Sequence, residues 1–398
     1  MTKNDDKRVP VLRFKGFNDD WAQRKLGDIA NVDSSKRIHR SEYTKEGIPF
    51  FRGSEITDRK ISNLIYISKK KYNEIKNQYG VPKPGDLLIT AVGTIGNIWK
   101  VDNTSFYYKD GNLIHINPKC IDEDYLVYYF QFLKYKKIID RVASGSNQKA
   151  LTIIKVQNLK IKYPQKEGQS LIGVLLKKTE NLIALQQRKL QQLKLLKKAM
   201  LQDLFADKAV PKLRFRGFKD YWVPKKLGDI ANFINGRAYK QNELLDKGKY
   251  KVLRVGNFYT NDSWYFSNLE LKPQYYINKG DLVYTWSATF GPHIWRGEKV
   301  IYHYHIWKIN LSKSLNKKFV FYLLKADKAK LLSNTNGSTM IHITKRNMES
   351  KTVLIPNTIE QSQIRNSLDN VSNLITFQQE KIAEVKQIKQ FLLQNMFI

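Results

Sequence analysis

In this 398-residue chain the side chains best suited to reading nucleic acid fall in short polar stretches, which recur at matching places in two halves. The first half offers Arg52 and Ser54, then Thr94 and Asn97, then a run from Ser144 to Lys149 that includes Ser146, Asn147, Gln148 and Lys149. The second offers Arg237 and Tyr239, Arg254 and Asn257, then Ser287, Thr289 and His293, and finally Ser338 and Thr339. Arg, Asn, Gln, Ser and Thr form hydrogen bonds to base edges, while surrounding Lys and Arg neutralise phosphates. Any one of these residues is as readily a turn former or a cap as a DNA contact. As matched sets they point to DNA-reading surfaces.

Catalytic chemistry is missing from the sequence. It has no Gly-x-x-x-x-Gly-Lys-Ser/Thr phosphate loop, no Gly-x-Gly-x-x-Gly after a strand and no His-Glu-x-x-His. Nor is there an Asn/Asp-Pro-Pro-Tyr/Phe segment of the kind that holds a flipped base beside a methyl donor. His303 and His305 could share one face of a strand and bind a metal, but no cysteine or carboxylate cluster completes such a site. Glu360 and Glu380 read as solvated residues of a helix surface. No catalytic residue, cofactor or metal is therefore expected.

Composition agrees with a polyanionic partner. Lys and Arg number 69 against 36 Asp and Glu, a formal net charge of +33, and 42% apolar with 12% aromatic residues suffices for sizeable cores. Cys120 is the only cysteine, so no disulfide framework forms within the chain. The charged start lacks an apolar leader core and no run of eighteen apolar residues occurs, so a soluble, cytoplasmic protein without a membrane partner is expected.

The elements that must position these residues are written twice. An opening motif, Val9 to Val32, returns as Val210 to Phe233 with identity at sixteen of 24 positions, at an offset of 201 residues. In each copy a Lys/Arg-Gly-Phe leads through Trp21 or Trp222 to Leu-Gly-Asp-Ile-Ala; the Phe and Trp read as packing anchors and the Gly-Asp as a turn or helix start. The offset falls to 195 between Gly85 and Gly280 and to 192 between Gly145 and Gly337, so the length changes lie inside the regions between these landmarks. Short apolar runs at Leu87 to Ala91, Asn112 to Ile116, Leu282 to Trp286 and Tyr304 to Ile309 read as strands. Runs ending at Pro164 and Pro356 mark the start of a helix in each half.

Those helices carry a coiled-coil seam. Ile172, Leu176, Thr179, Ile183, Gln186, Leu190, Leu193, Lys197, Met200 and Leu204 alternate at steps of four and three, and Ile364 to Met396 repeats the register 192 residues on. Even the polar interruptions Gln186 and Lys197 return as Gln378 and Lys389. Each stretch would extend roughly 54 Å. The two are expected to pack on each other as a spacer. The fold expected is α+β: two tandem strand-rich domains, 1–165 and 207–356, with two long antiparallel coiled-coil helices, 166–206 and 357–398, in an internal pseudo-twofold duplication.

The paired opening motifs, the Pro-Gly-Asp-Leu-Leu element from Pro84, the Gly-Ser segments at Gly145 and Gly337 and the Gln-Ser-x-Ile helix starts at Gln169 and Gln361 together resemble the DNA-specificity subunit of type I restriction-modification systems. The resemblance covers essentially the whole chain. It implies two target-recognition domains, each reading one half of an asymmetric bipartite double-stranded DNA target, with helices that set spacing and dock two modification (methyltransferase) subunits. Restriction subunits join for cleavage, and the chain itself has no catalytic activity. One departure is that Glu167-Gly168-Gln169 stands where the second half has Glu360-Gln361. A stand-alone DNA enzyme and a duplicated transcription regulator are the competing readings; the first requires turnover by the chain alone, the second binding without partners.

Overall fold

The computed structural model describes residues 9–58, 64–143, 149–205, 209–287, 289–333 and 343–398. The chain divides into two compact units, Met1–Gln187 with Glu380–Ile398, and Arg188–Gln379. Four helices frame them: α1 (Glu123–Tyr135), α2 (Lys166–Asp203), α3 (Lys317–Ser333) and α4 (Thr358–Asn395). No described helix is long and apolar enough to cross a membrane.

The seam is written in the burial of the long helices. Every seam position from Ile172 to Leu204 and from Ile364 to Met396 is buried or half-buried, whereas off-seam leucines such as Leu185 and Leu195 stand exposed. In the first unit Leu392 and Met396 share a core with Leu176 and Ile172, and Lys389 pairs with Glu180 at 2.9 Å, so α4 runs antiparallel to α2 there. In the second unit Ile364 and Leu368 share a core with Leu204 and Met200. The helix ends are therefore more than spacer. They complete the cores of the two units.

Each unit contains a four-stranded antiparallel sheet. In the first the order is Ala30–Asp33, Leu113–Pro118, Leu87–Thr90, Ile98–Lys100; in the second it is Ala231–Asn235, Ile306–Leu311, Leu282–Thr285, Gly291–Ile294. A second, mixed sheet of four short strands and a two-stranded ribbon complete each unit. The ribbons pair Ala22–Lys25 with Lys160–Tyr163 and Val223–Lys226 with Thr352–Ile355, which brings each opening motif alongside the start of its helix. The central strands are buried on both faces, which explains their unbroken apolar runs.

The tryptophans of the opening motifs pack in the cores as expected, with Phe14 and Phe215 partly buried against them. Trp21 meets Tyr125 edge-on at 6.1 Å and Trp222 meets Phe319 at 6.4 Å. Phe397 sits among Tyr125, Tyr129 and Phe132. Leu26–Ile29 and Leu227–Ile230 each form one helical turn.

The Gln-Ser-x-Ile starts have a concrete role. Gln169, 3% exposed, accepts a hydrogen bond from the Asp122 amide at 2.8 Å and donates to the Pro164 carbonyl at 2.9 Å. Gln361, 1% exposed, accepts from the Asn316 amide at 2.9 Å and donates to the Pro356 carbonyl at 3.0 Å. Each glutamine thus ties its long helix to the N-terminal end of α1 or α3.

Two expectations are corrected. Glu360 is not a solvated surface residue: it is 1% exposed and grips Arg214 through both oxygens, at 2.9 and 3.0 Å. The expected strand from Tyr304 begins instead at Ile306, because the backbone turns through residues 303–305 to join Val300–Tyr302 to Ile306–Leu311. His303 and His305 therefore do not share a strand face. Their rings pack at 4.9 Å between centroids and against Tyr304, and among the described residues no group of three His, Cys, Asp or Glu could hold a metal.

Candidate nucleic-acid interface

In the first unit Arg52 precedes the short helix Gly53–Asp58, and its guanidinium is oriented by Glu55: Nη2 donates at 2.6 Å, and the Arg52 amide donates to the same carboxylate at 2.7 Å. Ser54 Oγ donates to Glu55 as well, at 3.0 Å. Arg52 lines an open cleft of about 1170 Å³ together with Arg37, Arg40, Lys45 and Lys109. Arg37 is paired with Asp110 at 2.9 Å, while Arg40, Lys45 and Lys109 form no ion pair among the described residues. These four cations were not singled out in the sequence. They come from two segments some seventy residues apart that only the fold brings together.

Thr94 and Thr289 occupy the same turn in the two units. Thr90 Oγ1 donates to the Thr94 carbonyl at 2.5 Å, and Thr285 Oγ1 to the Thr289 carbonyl at 2.8 Å. Both threonines at the turn tips are exposed. Asn97 is engaged by the Lys134 ammonium. Lys149 is exposed, and Leu151 beyond it donates to the Ala91 carbonyl at 2.9 Å, so the chain after residue 148 lands at the end of the strand that carries the Thr94 turn. Ser146, Asn147, Gln148, Ser338 and Thr339 lie outside the described residues.

In the second unit Arg237 forms a two-pronged pair with Glu243, at 2.6 and 3.0 Å, and stacks over Tyr239. Its amide donates to the Tyr302 carbonyl at 3.0 Å. The preceding Gly236 permits that approach, since a Cβ there would lie 2.4 Å from the Tyr302 and His303 carbonyl oxygens. Tyr239 reaches the Tyr302 carbonyl at 3.4 Å, and burial raises its hydroxyl pKa.

Arg254 occupies the place of Arg52, but Asn257 stands where Glu55 does. Asn257 accepts from the Arg254 amide at 3.0 Å and donates to the Asn261 and Ser263 carbonyls, so it closes the loop. Among the described residues the Arg254 guanidinium has no carboxylate partner. It lies 4.3 Å over the Tyr265 ring and donates to the Ser263 carbonyl at 3.2 Å.

His293 stacks on Phe258 at 4.2 Å and lies 3.1 Å from the Tyr259 hydroxyl. Burial, with Lys325 and Lys328 nearby, pulls its pKa down to about 4, so it presents a neutral ring at physiological pH. Ser287 is half-buried beside this turn. Asn257, Tyr259 and His293 line a second cleft together with Arg296, Lys325 and Lys328. The two units thus bring together Arg52 with its cations, and Asn257 with His293. Arg237 and Tyr239 belong instead to the region around Tyr302.

Comparison with known proteins matches the duplication. The family model for the type I restriction modification DNA specificity domain matches twice, at residues 18–195 and 219–387. A putative type I restriction enzyme specificity subunit of Methanocaldococcus jannaschii is 25% identical over 393 residues, covering 93% of this chain and 91% of that protein. Among solved structures, the type I restriction-modification S subunit of M. genitalium superposes with a TM-score of 0.57 at 14% identity, covering 98% and 99% of the two chains. A chain from a study of complex assembly and conformational transition of the type I restriction-modification system gives 0.62 at 16% identity, covering 96% and 99%.

Proposed function

The chain belongs to the type I restriction-modification DNA-specificity family, and from that premise we propose that it is the sequence-reading, non-catalytic subunit of such a complex. Each unit reads one block of an asymmetric, two-part double-stranded DNA target. The observation that carries this reading is a frame built twice that supports two differently lined cationic clefts, one around Arg52 and one around Asn257 and His293. The main sheet and the ribbon are repeated, whereas the clefts lie at different places on them, the first beside the mixed sheet and the second beside α3, so each unit offers its own surface to bases.

Arg52 and Arg254 hold matching positions with differently oriented guanidiniums, the first held by Glu55 and the second by Tyr265 and the Ser263 carbonyl. An arginine whose one edge is fixed by a carboxylate can offer its other edge to guanine O6 and N7. The remaining cations neutralise phosphates.

Large apolar side chains left exposed off the seam, among them Leu185, Leu195, Phe377 and Phe391, are suited to docking helices of two modification subunits. Restriction subunits would join that assembly, in the cytoplasm, where the DNA is. Candidate contacts beyond the two arginines are Ser54, Thr94, Lys149, Ser287 and Thr289.

The deciding experiment exchanges residues 27–163 for the counterpart of a related protein and maps methylated bases made by the complex with its modification subunits. One block of the target should change and the other persist. Change in both, or in neither, would remove the reading.

A further inference from the structure

The cleft between strand Gly291–Ile294 and α3 gathers cations, one of which, Lys325, has an uncharged counterpart in the first unit. Lys325 and Lys328 lie one turn apart on α3, and Arg296 lines the same space of about 680 Å³. Lys197 of α2 stands 5.7 Å from the centre of the adjoining Tyr322 ring. None of these four forms an ion pair among the described residues. The carboxylate lining the cleft, Asp369, is already held by Lys318 at 2.8 Å, Arg365 at 3.2 Å and the Tyr322 hydroxyl at 2.8 Å. Burial, with Lys197, Lys328 and Arg296 close by, pulls Lys325 down to about 8, and burial also lowers Lys328 and Lys197. Gly291, at φ +145°, makes room for the group: a Cβ there would meet Lys328 Cδ at 3.0 Å and Nζ at 3.1 Å.

The first unit is an internal control. Lys389 stands 5.6 Å from the centre of the Tyr128 ring, as Lys197 does over Tyr322, but there Glu180 pairs with the lysine at 2.9 Å and accepts the tyrosine hydroxyl at 2.9 Å. At the helix offset of 192, Ser372 replaces Glu180. With the helix starts Asp122 and Asn316 aligned, Lys325 replaces Gln131, and Lys328 replaces Lys134, which has Asn97 as its partner. At this spot the second unit has a serine for Glu180 and a lysine for Gln131, while Asp369, in the place of Lys177, is the carboxylate that Lys318, Arg365 and Tyr322 already engage. Half-buried like charges left without a counter-ion destabilise a fold, and an anion in the cleft removes that cost.

We propose that this cleft binds a backbone phosphate of duplex DNA beside the block read by the second unit. The proposal rests on the DNA-reading function above. A DNA phosphate is favoured over an acidic protein side chain because Asn257, Tyr259 and His293 line the same cleft, making the cations and the reading residues one surface. A phosphodiester carries a full negative charge and accepts hydrogen bonds from several ammonium groups at once.

The test uses the full chain with its modification subunits, titrated with a target duplex and an unrelated duplex at several salt concentrations. Lys325→Gln installs the first unit's residue, and Ser372→Glu restores its carboxylate. Each variant should weaken binding to both duplexes by the same factor, roughly three- to tenfold at about 0.15 M salt, and reduce the slope of log K against log salt by about one. The set of methylated sites should stay the same. Thermal melting checks folding, and Lys325→Gln, which relieves repulsion, should melt no lower than the parent.

Unchanged affinity and slope in both variants would overturn the proposal. So would a loss confined to the target duplex, which assigns base reading, or weaker capture of the modification subunits at unchanged DNA affinity, which assigns an acidic protein surface. A parent complex that binds both duplexes equally would instead overturn the DNA-reading function, before any variant is compared.

Discussion

Arginines at matching places in the two opening motifs meet different neighbours. Arg214 is held by Glu360 in a pair whose side chains are 12% and 1% exposed. Arg13 keeps the matching bond to the Asp19 carbonyl, at 2.7 Å, but Gly168 stands where the carboxylate would be, and the Arg13 Nε is buried without a partner among the described residues. Elsewhere the charges are reversed: Lys177 of α2 pairs with Asp124 of α1 at 3.0 Å in the first unit, and Asp369 of α4 with Lys318 of α3 at 2.8 Å in the second. On the main sheet, His115 bridges Asp33 and Asp86 at 2.9 Å each, whereas Lys308 meets Asp281 at 2.8 Å. Backbone placement tolerates these exchanges because the cores and the glutamine ties stay the same. Charge is where the two copies have been free to part.

The largest break in the comparison should come from Glu360→Gln. It leaves the half-buried Arg214 without a counter-ion, a loss of about 3 kcal/mol. Hydrogen exchange should speed up at strand Thr352–Ile355 and stay unchanged at Lys160–Tyr163; equal protection in both would mean the pair is not holding its opening motif.

Raising the pH should separate the units next. Burial pushes His115 down, but the hydrogen bonds its imidazolium donates to Asp33 and Asp86 outweigh that and raise its pKa to about 9. Its contribution is complete below the unfolded value of about 6.5 and is lost as the pH rises through about 9. Asp33 is 58% exposed, so water screens its share and the loss is set at about 2 kcal/mol. Exchange protection of Leu113–Pro118 should fall across that window while Ile306–Leu311, with a lysine, holds. His115→Lys should abolish the difference.

A smaller effect should come from giving the first unit its missing carboxylate. Gly168→Glu should gain about 1 kcal/mol from the new pair with Arg13. A Cβ there meets Pro164 at 3.1 Å and Phe17 at 3.3 Å, so these side chains must give slightly. A lower melting temperature would show that they cannot. Smallest of all, Lys177→Ala should cost about 0.5 kcal/mol, as denaturant unfolding would measure, because that lysine is half exposed and Asp124 keeps Lys100 at 2.7 Å.

Duplication explains which features were legible in the sequence. The opening motifs, the seam and Gln169 with Gln361 recur while their surroundings change, which marks them as frame. Glu360 has no twin, and its partner lies 146 residues away, so it read as surface. Arg52 and Arg254 were visible as a pair, but only the loop conformation reveals that one is held by a carboxylate and the other rests on a ring. The cationic clefts were hidden because their members come from separate segments. Lys197, Arg296 and Lys325 share no local pattern, and the exchange of Glu180 for Ser372 gains meaning only once the two helices are aligned.

The glutamine ties carry a consequence for inheritance. Gln169 and Gln361 grip only main-chain groups, amides at the start of α1 or α3 and carbonyls before the long helix. Such a socket cannot distinguish one cargo's side chains from another's. A recognition domain acquired by recombination would find these ties ready-made, leaving the apolar core that the helix ends complete and the side-chain charges on α1 or α3 to be matched.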